Sequence, residues 1–198
     1  MRTLRIEIRS DSVLLDGYVN VTNRDSRPLI TVHGKVVEQI EERAFDEALQ
    51  RAEDVSLLVD HDRERKIGST KEGNLKLFED NIGLRAICTV TDADVIQKAK
   101  KGLLKGWSFG MNVIKDAIEQ RADALPRRIV KALDIFEVSI IDDKMTPCYS
   151  GTSIEQRASD GEDFVSEQRY NYNKIITESF EKKHDYSSYE NRLKQIQK

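Results

Sequence analysis

The sequence predicts an α+β fold, mainly antiparallel β with a few helices, followed by a polar C-terminal extension. Several short runs alternate apolar and polar residues, the period of strands with one buried face. Two other runs repeat at helical spacing. Composition then changes sharply near the end of the chain, where glycine and proline vanish and charge dominates.

Leu4, Ile6 and Ile8 alternate with Arg5, Glu7 and Arg9, which predicts a first strand with one wet face. Leu14 to Val19 predicts a second, with Gly17 marking a bulge or close approach, and Asn23 to Pro28 supplies loop chemistry. Val37, Ile40, Ala44, Phe45, Ala48, Leu49 and Ala52 share one stripe at helical spacing, so a helix is expected through about Glu53. Val55 to Val59 fits a short buried strand that delivers Asp60, His61 and Asp62 at its end. A polar loop should follow. Leu75 and Leu77, then Leu84, Ala86, Cys88 and Val90, alternate on either side of Asp80 to Gly83 and read as a hairpin. Thr91 is placed to cap a second helix with the stripe Val95, Ile96, Ala99 and Leu103, loosened at its end by Gly102 and Gly106. From Gly106 to Ile114, Trp107, Phe109, Met111 and Val113 fall on one face and Ser108, Gly110 and Asn112 on the other. Asp116 to Arg128 is polar, contains Pro126 and predicts a long loop. In the last strand Phe136, Val138 and Ile140 share a face, leaving Glu137 and Ser139 opposite, displayed in the manner of Ser108.

The 198 residues suffice for one core plus an appended arm, with 1–153 as the domain and 154–198 as a polar, partly helical or disordered tail. A net charge of -3, from 32 basic against 35 acidic residues, gives no overall pull toward nucleic acid or an anionic membrane. Cys88 and Cys148 are too few for a disulfide framework or a zinc site, which points to a reducing compartment; Cys88 reads as core and Cys148 as packing. No signal core and no membrane-length apolar run occurs, so a soluble protein that stays in its cell is expected. Four of the six tyrosines, Tyr170, Tyr172, Tyr186 and Tyr189, lie in the tail.

The chemistry-bearing residues are His61, Ser108 and Glu137. A serine hydroxyl attacks well only when a base removes its proton, and histidine titrates near neutrality. A carboxylate then holds the imidazole in the useful tautomer. Each residue type also has a plainer reading: Ser108 as a small packing residue, His61 as a surface histidine held by Asp60 or Asp62, Glu137 as the partner of an arginine. His33 and His184 lie in polar surroundings and read as solvated.

The order of motifs resembles the prohead proteases of tailed bacteriophages, related in fold to the herpesvirus assemblins. The resemblance runs through Asp16, Gly17, Tyr18; Glu38, Ile40, Arg43, Ala44, Phe45; Val59 to Asp62; and Ile67, Gly68. It continues with Leu75, Leu77, Glu79, Asp80, Gly83, Leu84; Gly106 to Gly110; and Phe136 to Ile140. Where the family often has a Pro-Ala-Tyr-like turn, this chain has Met145 to Tyr149. The resemblance implies an assemblin-like, mainly antiparallel β-barrel surrounded by a few helices. It implies a serine endopeptidase that cuts scaffold and capsid segments, and itself, during prohead maturation. Ser108 matches the nucleophile and His61 the base; Glu137 is the third member, with Asp62 and Asp134 as rivals. The backbone around Gly110, or Arg127 and Arg128, would supply the oxyanion hole. The implied partners are scaffolding protein, major capsid protein and further copies of the chain, inside the assembling prohead in the host cytoplasm. No cofactor, metal, membrane or nucleic acid is called for. The alternative from another class is a non-catalytic assembly or scaffold protein that keeps the protease fold.

Overall fold

The computed structural model describes residues 5–9, 11–32 and 34–149, and the backbone of 176–179. In chain order the elements are β1 (Arg5–Ile8), β2 (Val13–Val21), β3 (Leu29–Thr31), β4 (Gly34–Ile40), α1 (Ala44–Arg51), β5 (Ser56–Val59) and β6 (Asp62–Ser69). There follow β7 (Leu75–Glu79), β8 (Gly83–Val90), α2 (Ala93–Lys100), β9 (Gly106–Glu119), β10 (Arg127–Ile141) and β11 (Ile176–Ser179). The fold is mostly β with two helices, as expected of α+β.

Hydrogen-bonded ladders among the described residues form two sheets rather than one closed barrel. The first is antiparallel, ordered β1-β2-β8-β7; the second runs β11-β9-β10-β4-β3, with β5 and β6 attached through β10. β10 is the spine. One edge pairs antiparallel with β9 along its length, while the other is divided: residues 127–130 pair with β4 and 137–140 with β5, both parallel. β2 packs against β9, so the sheets enclose one continuous core that includes Leu15, Phe45, Leu57, Trp107, Phe109 and Val138. Phe109 is edge-on to Phe45 at 5.3 Å and stacked on Tyr149 at 5.7 Å, geometries that add about 0.5–1.5 kcal/mol per pair beyond burial.

Four expectations are corrected. Val37 and Ile40 belong to strand β4, not to the helix: Arg43 takes a left-handed φ of 71°, which interrupts the chain between two elements whose apolar residues happen to share a helical spacing. The shortened α1 has no cap of its own at Arg43; the carboxylate of Glu79 on β7 accepts the N–H groups of Arg43 and Asp46, both at 2.8 Å. The polar loop after His61 is strand β6, whose charged residues 62–64 face solvent while its backbone pairs with β5. The cap of α2 is Asp92, accepting from Val95 N–H at 2.9 Å, and not Thr91. Asp116 and Arg128 are not loop residues but buried members of β9 and β10, which extend the hairpin so that only 120–126 turns. Each neutralises the other: Arg128 Nε donates to Asp116 Oδ2 and its Nη1 to Glu38 Oε2, and Glu38 Oε1 accepts the Tyr149 hydroxyl. Finally, β3 adds a short edge strand to β4.

Cys88 and Cys148 are both buried, and neither is joined in a disulfide. His33, His184, the tail's tyrosines and most of 154–198 lie outside the described residues. Within that segment Ile176–Ser179 forms a strand parallel to residues 115–118 of β9.

Candidate active site

The hairpin of β5 and β6 places His61. Val59 pairs with Asp62, so the turn has only two residues, Asp60 and His61, with φ of 52° and 59°. Two consecutive positive φ values are the requirement of the tight turn that suits strand twist, and Asn-Gly or Asp-Gly normally fills it. Asp and His tolerate the left-handed region better than most residues, but the conformation costs about 1–3 kcal/mol per strained residue and must be held from outside. β10 and Asp142 just after it hold it at three points. Asp60 N–H donates to Ile140 O at 3.0 Å, Asp142 N–H donates to Asp60 Oδ1 at 3.0 Å, and His61 N–H donates to Ser139 Oγ at 3.1 Å.

The clamp is itself electrostatic. Burial raises the Asp60 carboxyl above its ordinary value, and the Asp142 charge adds to this. Burial works the same way on Asp142, but the Lys98 ammonium, 2.6 Å from its Oδ2, together with hydrogen bonds from Lys144 N–H and Asp60 holds that carboxyl below its ordinary value. A depressed carboxylate stabilises the fold above its unfolded pKa, and the contribution is lost as pH falls through the folded value. Lys98→Met therefore strands a fully buried charge and is expected to destabilise by about 3 kcal/mol at neutral pH, shrinking toward zero in acid. Urea denaturation at pH 7 and near pH 3 reads this directly; a loss of equal size at both would refute it.

The imidazole meets a carboxylate. His61 Nδ1 lies 2.6 Å from Glu137 Oε1, and both side chains are buried. With an ionised partner Nδ1 carries the proton and donates, which leaves the Nε2 lone pair as a base. The other carboxylate oxygen is also engaged, since Ser139 Oγ–H donates to Glu137 Oε2 at 2.6 Å. Ser139 thus joins the backbone of His61 to the carboxylate that orients its ring. Sequence reading left Ser139 without a role; its only signal was the shared face with Glu137.

That face is shaped by a bulge. The register with β9 shifts between Ile135 and Glu137, so Leu133, Ile135, Val138 and Ile140 face the core while Phe136 leaves it. The expectation that Phe136 shares the face of Val138 and Ile140 is therefore corrected; Glu137 and Ser139 do share theirs. Gly110 stands opposite Glu137, and a Cβ there would lie 2.4 Å from the Phe136 ring and 2.6 Å from Glu137 Oε1. Gly110→Ala is expected to destabilise by about 1–3 kcal/mol and to displace the carboxylate from His61, read as a lower denaturation midpoint together with lost activity. A fully active, equally stable Ala variant would contradict the assignment.

Ser108 lies on β9 opposite Ser139, the residue that receives the His61 N–H. The face it shares with Gly110 is enclosed rather than open, and Ser108 is 3% exposed. Its Oγ and His61 Nε2 are both buried without a hydrogen-bond partner among the described residues, so the bond between them is not closed in this state. Active-site hydrogen bonds that are long in the free enzyme tighten when substrate is bound. The rivals of Glu137 are placed elsewhere: Asp62 is exposed and accepts Glu64 N–H, and Asp134 is exposed and pairs with Arg51. Arg127 and Arg128 do not serve Ser108. They pair with Glu119 and Ile118, ten or more residues along β9, and their side chains bind Asp25 and Glu119, and Asp116 and Glu38.

A buried carboxylate on β10, a serine hydroxyl on the adjacent β9 and an imidazole in the β5–β6 turn whose Nε2 has no hydrogen-bond partner among the described residues form the parts list of nucleophilic acyl transfer. The family model for the caudovirus prohead serine protease matches residues 2–166. Among curated proteins and among solved structures, none matches the chain.

Proposed function

The chain belongs to the caudovirus prohead serine protease family, matched over residues 2–166 of 198, and on that premise we propose that Ser108, His61 and Glu137 are its catalytic triad. It is a serine peptidase, a hydrolase of peptide bonds, that serves capsid maturation. The observation that carries the site reading is the buried 2.6 Å contact of His61 Nδ1 with Glu137.

In this reading substrate binding brings Ser108 Oγ to His61 Nε2. Nε2 takes the hydroxyl proton as Oγ attacks the scissile carbonyl, and Glu137 stabilises the imidazolium that forms. His61 then gives the proton to the departing amine, leaving an acyl group on Ser108. Water, deprotonated by the same nitrogen, releases that group and restores the serine. Ser139 is a positioning residue here, because it touches His61 and Glu137 and neither reacting atom.

The substrates are proposed to be scaffolding and major capsid segments and the chain itself, cut inside the assembling prohead in the host cytoplasm, with self-association and no direct nucleic-acid or membrane contact. The net charge is -3, and among the described residues no helix is long and apolar enough to cross a membrane. A non-catalytic assembly protein on the same fold would have no use for a strained turn that holds a histidine against a buried carboxylate. The test is a fluorophosphonate adduct on Ser108 that disappears when His61 is replaced; a protein that processes substrate yet is modified at another serine would overturn the triad.

A further inference from the structure

A cavity of about 460 Å³ opens beside Glu137. Leu58 and Phe136 give it an apolar surface, Asn112 and Glu137 a polar wall, and Arg63 and Lys66, both exposed, line it with two positive charges. From these groups we infer that the cavity is a subsite of the protease for an acidic side chain of an extended peptide substrate, a reading that rests on the proposed function.

Position is the first support. Ser108, Gly110 and Asn112 alternate on one face of β9, and a strand advances roughly 3.3 Å per residue. The stretch from Glu137, opposite Gly110, to Asn112 therefore lies roughly 7–13 Å along the strand from Ser108. An extended peptide attacked by Ser108 covers that interval with a residue two to four positions from the scissile bond.

Chemistry is the second. Among the described lining residues Glu137 is the one anion, and both of its oxygens are engaged by His61 and Ser139, while Arg63 and Lys66 carry the positive charge of the wall. Lys66 sits 2.8 Å from Glu72 and 3.7 Å from Asp54, pairs whose members are all at least 30% exposed. Exposed pairs of this kind exchange readily. The aliphatic stem of a glutamate fits against Leu58 and Phe136 while its carboxylate reaches the two cations. Asn112 adds a polar side chain to the wall, with its Oδ1 turned inward, buried and without a hydrogen-bond partner among the described residues.

The test uses the full chain carrying Ser108→Ala, isotopically labelled for NMR, so that peptides bind without being cut. Acetylated decapeptides of Ala and Ser carry one guest residue, Glu, Gln or Lys, at successive positions and are titrated to millimolar concentration. The Glu guest should shift the Arg63, Asn112 and Phe136 signals most and bind about fivefold tighter than Gln, with Lys weakest. Arg63→Glu should reverse the order of Glu and Lys, and Arg63→Gln, which leaves Lys66 in place, should weaken the preference without reversing it. The subsite is overturned if no guest moves those signals, if Gln or Lys binds as tightly as Glu, or if Arg63→Glu keeps the original order. Intact mass of the wild-type chain reports separately on Ser108-dependent cleavage. Loss of that dependence with acidic selectivity intact sinks the triad and spares the subsite; the converse sinks the subsite alone.

Discussion

Ser108→Ala is expected to end self-trimming and substrate cleavage, lowering turnover by about 10⁴–10⁶-fold, while the protein stays folded. Two features of the site make this a sharp expectation. The hydroxyl is the one nucleophile on the face of β9 formed by Ser108, Gly110 and Asn112, and the Ser139 hydroxyl across from it is tied to Glu137 and to the His61 N–H. It also makes no hydrogen bond among the described residues, so its removal breaks none there. Deleting a buried hydroxyl that lacks a partner leaves stability unchanged or raises it slightly, whereas deleting a structural one lowers it by about 1–3 kcal/mol. Intact mass after purification away from host proteases reads the processing, and urea denaturation reads the stability. Unchanged trimming in the Ala protein would remove Ser108 from the mechanism; lost trimming with a large loss of stability would make its role architectural.

Glu137→Gln should reduce turnover by about 10³–10⁴-fold with a smaller effect on substrate affinity. The amide has the shape of the carboxylate but can satisfy only one of its two neighbours. With its oxygen on His61 Nδ1, its NH₂ meets Ser139 Oγ, which already accepts the His61 N–H, and the hydroxyl proton loses its acceptor. Turned the other way, the NH₂ donates to Nδ1 and drives the ring proton to Nε2, the tautomer that cannot accept from Ser108. In either orientation the charge that stabilises imidazolium is gone. Single-turnover rates with a cleavable peptide check this, and histidine ¹⁵N shifts report which ring nitrogen is protonated. A variant within tenfold of the parent would mean that Glu137 only packs against His61.

Much of this site was legible in the chain because strand alternation is a local signal. Ser108 and Gly110, and Glu137 and Ser139, share faces that two-residue periodicity assigns without any tertiary information. What escaped was nonlocal. The bulge that turns Phe136 out of the core arises from a register shift against β9, and nothing in Ile135, Phe136 and Glu137 announces it. Asp116 and Arg128 look like loop residues until each is seen as the other's counterion across the hairpin. β4 and α1 read as one element in sequence because Val37 and Ile40 lie at a helical distance from Ala44, while the interruption at Arg43 depends on a cap borrowed from Glu79 on another strand. The separation of His61 from Asp62 and Asp134 as candidate partners likewise needed β5 and β10 to be side by side; in sequence Asp62 is its neighbour and Glu137 is 76 residues away.

The two-residue turn at Asp60 and His61 also bears on how this protein tolerates change. Glycine or asparagine at position 61 would relax a left-handed backbone that histidine occupies under strain. A library sorted for thermal resistance alone would therefore enrich the residues that discard the imidazole, and one sorted for shell processing would keep it. Selection on durability and selection on chemistry pull in opposite directions at this single codon, and Ser139, Ile140 and Asp142 are the contacts through which the fold settles the contest in favour of chemistry.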